Sequence, residues 1–357
     1  MKIAKPGALR FALFAACALA TLAASGPKPA GPGDPLALEI DRCSALLKSG
    51  DSGGSAPLIA EAGRALREGR RLLALQRLAS ARSYLAALRY VSSVPASKQK
   101  EMRGLESEWT RMGGVLRDAL GAPDPRALSG VSNAAARAFG EAALSQVRVY
   151  YDSSLEYGRS TLPEQGFFYL GLAEAQREFV AFCRTLPSSR EKAPPVRGLE
   201  PELDSLEAAL LEAYRPPASI DRHGEFIGAS SILKEARELD AAGYRYGALL
   251  RYLQAALRVS LLRQPAPATA REGLAERLGE LDRRLSASGD DESLGRLFLE
   301  SAQAELAEAS PGAATPAAAA IAGDVLPRYF AALEPAAPVS PKPGPLATVT
   351  LVRWPYT

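Results

Sequence analysis

Apolar side chains recur at intervals of three and four residues almost without break from about position 36 to Leu333, and the alternation of a half-buried strand is missing over the same span. A 3.6-residue repeat places such positions on one face of a helix, whereas a strand needs a repeat of two. The spacing therefore predicts an all-α body. Helices are expected at about 36–48, 57–68, 71–92, 98–119, 132–157, 163–186, 199–214, 225–242, 244–263, 269–287, 291–309 and 317–333. Thr161-Leu162-Pro163-Glu164 reads as a helix start, with an N-cap hydroxyl, an acid three residues on and a proline whose missing N–H does no harm there. Asp290 reads as the cap of the 291–309 helix. Between 187 and 198, Pro187, Ser188, Ser189, Pro194, Pro195 and Gly198 exclude a helix, which predicts subdomains at 36–186 and 199–333 joined by a linker.

Internal repetition refines this picture. Gly69-Arg70 is followed by Ala74, Leu78 and Ala81, and Gly243-Tyr244 by Ala248, Tyr252 and Ala255, so offsets of five, nine and twelve residues from glycine occur twice. Glycine ends one helix, and small residues in the next let the pair approach closely. These residues resemble the tetratricopeptide repeat, as does Phe167-Phe168-Tyr169-Leu170-Gly171, which is similar to the Leu-Gly step of that family's first helix. The resemblance implies antiparallel helical hairpins stacked as a solenoid, with a concave face that binds proteins or peptides. The glycines stand 174 residues apart, which is no multiple of the family's roughly 34-residue period. The expected arrangement is thus a degenerate solenoid, or a helical bundle sharing only the hairpin geometry.

The ends differ from the body. Met1–Ser25 has basic residues at Lys2, Lys5 and Arg10, an apolar run from Phe11 to Ala20 and small residues before Gly26, the layout of a cleaved signal peptide. Export to a periplasmic or extracellular compartment is expected, with no transmembrane span in the mature chain. Phe14-Ala15-Ala16-Cys17 resembles a lipoprotein cleavage box, and a lipid anchor at Cys17 is the minority alternative. Residues 26–35 read as a flexible Pro/Gly leader, and 334–357 as a proline-rich linker followed by a short extended C-terminal tail, Thr348 to Trp354, the one strand-like segment. Without Lys2, Lys5 and Arg10, 40 basic residues face 40 acidic ones. A neutral chain lacks the electrostatic footprint of nucleic-acid binding.

Catalytic groups are sparse. His223 is the only histidine, so a site of several histidines is excluded, and it reads as a surface or capping side chain. Ser231-Ile232-Leu233-Lys234 matches a Ser-x-x-Lys pattern, but Lys48-Ser49-Gly50 and Ser132-Asn133, the nearest approximations to its companion boxes, precede it. No phosphate-cradling glycine loop occurs, and no cofactor is expected. Cys43 and Cys183 either pair in an oxidising compartment or remain two buried free thiols.

The aromatic centre around Phe139, Tyr150, Tyr151, Tyr157, Phe167, Phe168 and Tyr169 holds adjacent rings that cannot face one core together, because neighbours on a helix point about 100° apart. Tyr150 and Tyr151, edged by Arg148 and Arg159, are therefore candidates for a partner surface, as are Val349, Leu351 and Trp354 of the tail. The expected function is a non-enzymatic exported scaffold or adaptor holding a protein or peptide partner in the cell envelope. A glycan-acting helical enzyme using Asp/Glu side chains, or a purely structural envelope protein, are the alternatives.

Overall fold

The structure, a computed structural model, describes residues 33–47, 54–188, 193, 195–216, 220–263, 271–287, 289, 292–309 and 315–333. These residues are almost entirely helical, and no strand occurs among them. The expected signal peptide, the leader up to position 32 and the tail from position 334 lie outside the described residues. In chain order the helices are α1 (Pro35–Leu47), α2 (Ser55–Arg67), α3 (Arg71–Ser93), the single turn α4 (Ala96–Gln99), α5 (Met102–Val115), the single turn α6 (Arg117–Leu120), α7 (Ala134–Ser160) and α8 (Pro163–Cys183). Beyond the linker come α9 (Glu200–Ala213), α10 (His223–Ala241), α11 (Arg245–Leu262), α12 (Arg271–Ala287), α13 (Leu294–Glu308), α14 (Pro316–Ala320) and α15 (Leu326–Leu333). No helix of the described residues is long and apolar enough to cross a membrane.

The two glycine turns are one piece of geometry used twice. Gly69 and Gly243 adopt φ of 77° and 82°, a region that costs a residue with a Cβ about 1–2 kcal/mol. After each glycine the chain bonds back in the same register: Arg70 N–H donates to Ala65 O and Tyr244 N–H to Leu239 O, at 2.8 and 2.9 Å. Those bonds satisfy carbonyls that the ends of α2 and α10 would otherwise leave without partners.

Three expectations about helix ends are corrected. Thr161 does not cap α8: its hydroxyl donates to Tyr157 O at 2.6 Å, so it closes α7 instead. The cap of α13 is Ser293, whose hydroxyl accepts from Arg296 N–H, and the helix starts three residues later than read. The predicted 98–119 helix is broken, because Glu101 is extended at φ −113° and ψ 125° and Leu116 leaves helical geometry. The last helix carries a π turn at Ile321–Val325. It lies just before Pro327, whose ring would collide with the carbonyl four residues back in a regular α-helix.

The larger buried cluster runs from Leu36 to Ala332 and takes in helices on both sides of 187–198. A second, smaller one gathers Leu105, Met112, Leu116, Val147, Tyr151, Phe167, Leu170 and Ala173 around α5, α7 and α8. One buried charge ties the first part together. Arg82 on α3 is 3% exposed, and its guanidinium donates to Glu39 of α1, to Ala175 O of α8 at 3.0 Å and to Glu178 at 3.3 Å. Several acceptors around one guanidinium are what makes burial of that charge tolerable.

Candidate functional site

Helix α8 places Phe167, Phe168 and Tyr169 in succession, and the 100° step between neighbours separates them. Phe167 turns inward and is 1% exposed, while Phe168 and Tyr169 remain half-buried at the surface. On α7, Tyr150 and Tyr157 stand two turns apart on one face, opposite α8. The result is a continuous ridge of rings across α3, α8 and α7. Tyr84 meets Phe168 edge-on at 5.3 Å, Phe168 meets Tyr169 at 6.3 Å, Tyr169 stacks on Tyr157 at 4.3 Å, and Tyr150 meets Tyr169 edge-on at 6.0 Å. Such pairs contribute about 0.5–1.5 kcal/mol each beyond the area they bury. Tyr84 and Tyr157 keep 37% and 43% of their surface in solvent. Burial, and then the hydrogen bond with Tyr157, push the Tyr169 phenol up to about 12.

Beside the ridge lies a hollow of about 250 Å³ lined by Tyr90, Val94, Lys98, Ser107, Glu108 and Arg111, with Phe167 also in its wall. Its one carboxylate is already held by two neighbours. Tyr90 Oη donates to Glu108 at 2.5 Å, and Arg111 grips the same carboxylate through Nε at 3.1 Å and Nη2 at 2.6 Å. The Arg111 bond holds the Glu108 carboxyl below its usual range, while burial foremost raises the Tyr90 phenol. Glu108 stays ionised and Tyr90 stays protonated, so the pair supplies fixed polarity rather than a proton to transfer.

The residues singled out in the sequence have different placements. Tyr150 belongs to the ridge, and burial raises its phenol, with Glu235 beside it on α10 adding to the effect. Tyr151 is buried at 6% exposure, stacked on Trp109 at 4.8 Å with its hydroxyl donating to Trp109 O, and is a core residue rather than a surface one. Arg148 is exposed and donates to Leu120 O and, at 2.8 Å, to Gly121 O, tying down the end of α6. Arg159 pairs with Glu106 at 3.3 Å on the surface. Val349, Leu351 and Trp354 lie outside the described residues.

Cys43 and Cys183 are both buried free thiols in this structure. Burial pushes them up to about 11 and about 12 respectively. His223 is the first residue of α10, with Nδ1 2.8 Å from Tyr214 Oη. Ser231 and Lys234 face solvent on the same helix, where Lys234 pairs with Glu238 at 3.8 Å. Among the described residues no cluster of three or more His, Cys, Asp or Glu side chains could hold a metal ion.

Two buried carboxylates that close helix starts escaped sequence reasoning. Glu141 of α7 accepts from Tyr246 N–H and Gly247 N–H, both at 2.9 Å, at the first turn of α11. Glu300 of α13 accepts from Leu73 N–H at 2.8 Å at the first turn of α3, with Leu72 N–H also directed at it. Each satisfies amides that begin a helix, where the dipole favours a negative charge. Burial raises both carboxyls, that of Glu300 to about 7. Arg137 donates to Glu141 at 2.9 Å and lies over the Tyr246 ring at 4.6 Å. The signal that would have found them is a five-residue pattern present twice, Arg137-Ala138-Phe139-Gly140-Glu141 and Arg296-Leu297-Phe298-Leu299-Glu300. Comparison of the chain with models of protein families, with curated proteins and with solved structures finds no match.

Proposed function

We propose that this chain is an exported, non-enzymatic helical scaffold that holds a protein or peptide partner in the cell envelope against the ridge of Tyr84, Phe168, Tyr169, Tyr157 and Tyr150. The observation that carries the reading is the continuity of that ridge: five touching rings, with Tyr84 and Tyr157 at its ends open to solvent. Tyrosine presents a large, rigid apolar face with a polar tip, which is why it is enriched where proteins bind each other. The compartment follows from Met1–Ser25, and the glycine-turned hairpins are read as tetratricopeptide-like units set in a helical bundle. An overall neutral mature chain leaves recognition to shape and aromatic contact rather than to bulk charge.

The test is site-specific photocrosslinking in cells. Tyr157→p-benzoylphenylalanine and Tyr84→p-benzoylphenylalanine should each yield the same discrete adduct with one partner chain. The same group at exposed Glu276 on α12 should not. No adduct from either ridge position, or the same adducts from position 276, would sink the reading.

A further inference from the structure

We infer that the chain is an internal duplication folded as a pseudo-dimer: residues 34–183 and 197–333 are two copies of one unit with five corresponding helical elements, each copy lending a buried glutamate to close the other's hairpin.

The correspondence runs helix by helix. Leu36, Ile40 and Cys43 are the buried face of α1, and Leu199, Leu203 and Leu206, each 163 residues later, are buried at the start of the second copy. In α2 the buried positions are Ser55, Ile59, Ala62 and Ala65, which lie 14, 10, 7 and 4 residues before Gly69. In α10 they are Ala229, Leu233, Ala236 and Leu239, at the same four distances before Gly243. Helix α3 matches α11 through the shared turn. Every buried residue of α13, from Leu294 to Ala302, has a buried counterpart 159 residues earlier in α7, with Glu300 on Glu141. Internal packing matches as well. The pairs α1 with α2, α2 with α3, α3 with α8 and α7 with α8 recur as α9 with α10, α10 with α11, and α11 and α13 with the α14–α15 segment.

The seam fixes the symmetry. Helix α7 of the first copy packs on α11 of the second, and α13 of the second packs on α3 of the first. Units stacked head to tail would make only one of these contacts, because a heterologous interface uses two different patches and stays open. A reciprocal pair is isologous and closed, as in a two-fold dimer. The self-equivalent contact such an axis requires is also present: α7 touches α13, and Ala135 N–H donates to Glu292 O at 2.9 Å between their N-termini. The copies diverge between the third and fourth matched elements, where α4, α5 and α6 stand against α12 alone, and at one end. Helix α7 continues to Ser160 where α13 stops at Glu308, and the second buried cluster around Trp109 and Tyr151 sits on that extension in the first copy.

Hydrogen exchange on the intact chain tests the exchange of glutamates. Glu300→Ala should speed exchange of the Leu72 and Leu73 amides by about tenfold or more while leaving Tyr246 and Gly247 protected, and Glu141→Ala should do the reverse. Glu300→Gln and Glu141→Gln keep an acceptor oxygen and serve where alanine does not fold: protection falls less at the variant's own pair and not at the other. Equal loss at both pairs, or loss at neither, overturns the reciprocal assignment. A protease site placed at 189–192 of the full chain tests the seam. After cleavage the two fragments should co-migrate as a one-to-one pair, and fragments that part, folded or not, overturn it.

Discussion

The Glu141 carboxylate and the Gly247 amide, 106 residues apart in sequence, meet at 2.9 Å because residue 247 has no side chain. A Cβ there would lie 3.1 Å from both Ala142 N and Glu141 Cβ, so α7 and α11 approach by way of that glycine. Glu141→Ala leaves the amides of Tyr246 and Gly247 and the Arg137 guanidinium without their acceptor inside the protein. The expected cost is about 2–4 kcal/mol, read as a lower denaturant midpoint at an unchanged slope. Glu141→Gln should recover more than half of it. Equal midpoints for the alanine variant and the wild type would show that water replaces the carboxylate at no cost.

Both glycine turns hold their residue at positive φ, and Gly243 also stands close to a neighbour. Gly69→Ala places a Cβ at φ 77°, and that strain alone should cost about 1–2 kcal/mol. Gly243→Ala meets the same strain at φ 82°, and its Cβ would also fall 2.7 Å from Pro125 Cγ. Gly243→Ala should therefore cost more than the 1–2 kcal/mol of the strain alone, by roughly another 1 kcal/mol or more. Thermal unfolding of the Gly243→Ala variant decides the matter, and a loss no larger than the backbone strain would mean that Pro125 moves away freely.

The helices were legible because each buries one apolar stripe, and a stripe at 3.6-residue spacing is a local property of the sequence. The hairpin turns were legible for the same reason, since Gly69 and Gly243 do their work within a few residues. The glutamate latches were not. Glu141 and Glu300 interrupt apolar faces with a charge, yet they are 1% and 8% exposed. What buries them is a helix start 105 residues away in one case and 227 in the other. Tyr151 erred in the opposite direction, because adjacent aromatics showed that some ring must leave the core without showing which. Trp109, supplied by α5, takes Tyr151 inward and leaves Tyr150 at the ridge.

Buried thiols follow from packing alone. Cys43 is 1% exposed on α1 and Cys183 fully buried at the end of α8, and burial raises both. Only the thiolate alkylates readily. Native protein at pH 8 should take up almost no iodoacetamide, whereas in 6 M guanidinium both residues should be labelled without prior reduction. Labelling that appears in denaturant only after a reductant would show that the two are paired as a disulfide.

Glu300 makes stability depend on pH in a direction opposite to most carboxylates. Asp34 and Glu108 are held below their usual range by Arg71 and Arg111, so the stability they contribute is lost as pH falls through their folded values. Glu300 is raised from 4.5 to about 7, chiefly by burial, against the opposing pull of the Leu72 and Leu73 amides and of Arg296 and Arg70. Its folded state binds the proton more tightly than its unfolded state does. That contribution is fully present below about pH 4.5 and is lost as pH rises through 7, by a few kcal/mol at most. Glu300→Gln keeps the acceptor and cannot ionise. The difference in unfolding free energy between variant and wild type should therefore be small near pH 4.5, grow through neutrality in favour of the variant, and level off near pH 8. Taking that difference cancels the acid-side titrations of Asp34 and Glu108, which both proteins share. A difference constant from pH 4.5 to 8 would show that Glu300 is ionised throughout, with the α3 amides outweighing its burial.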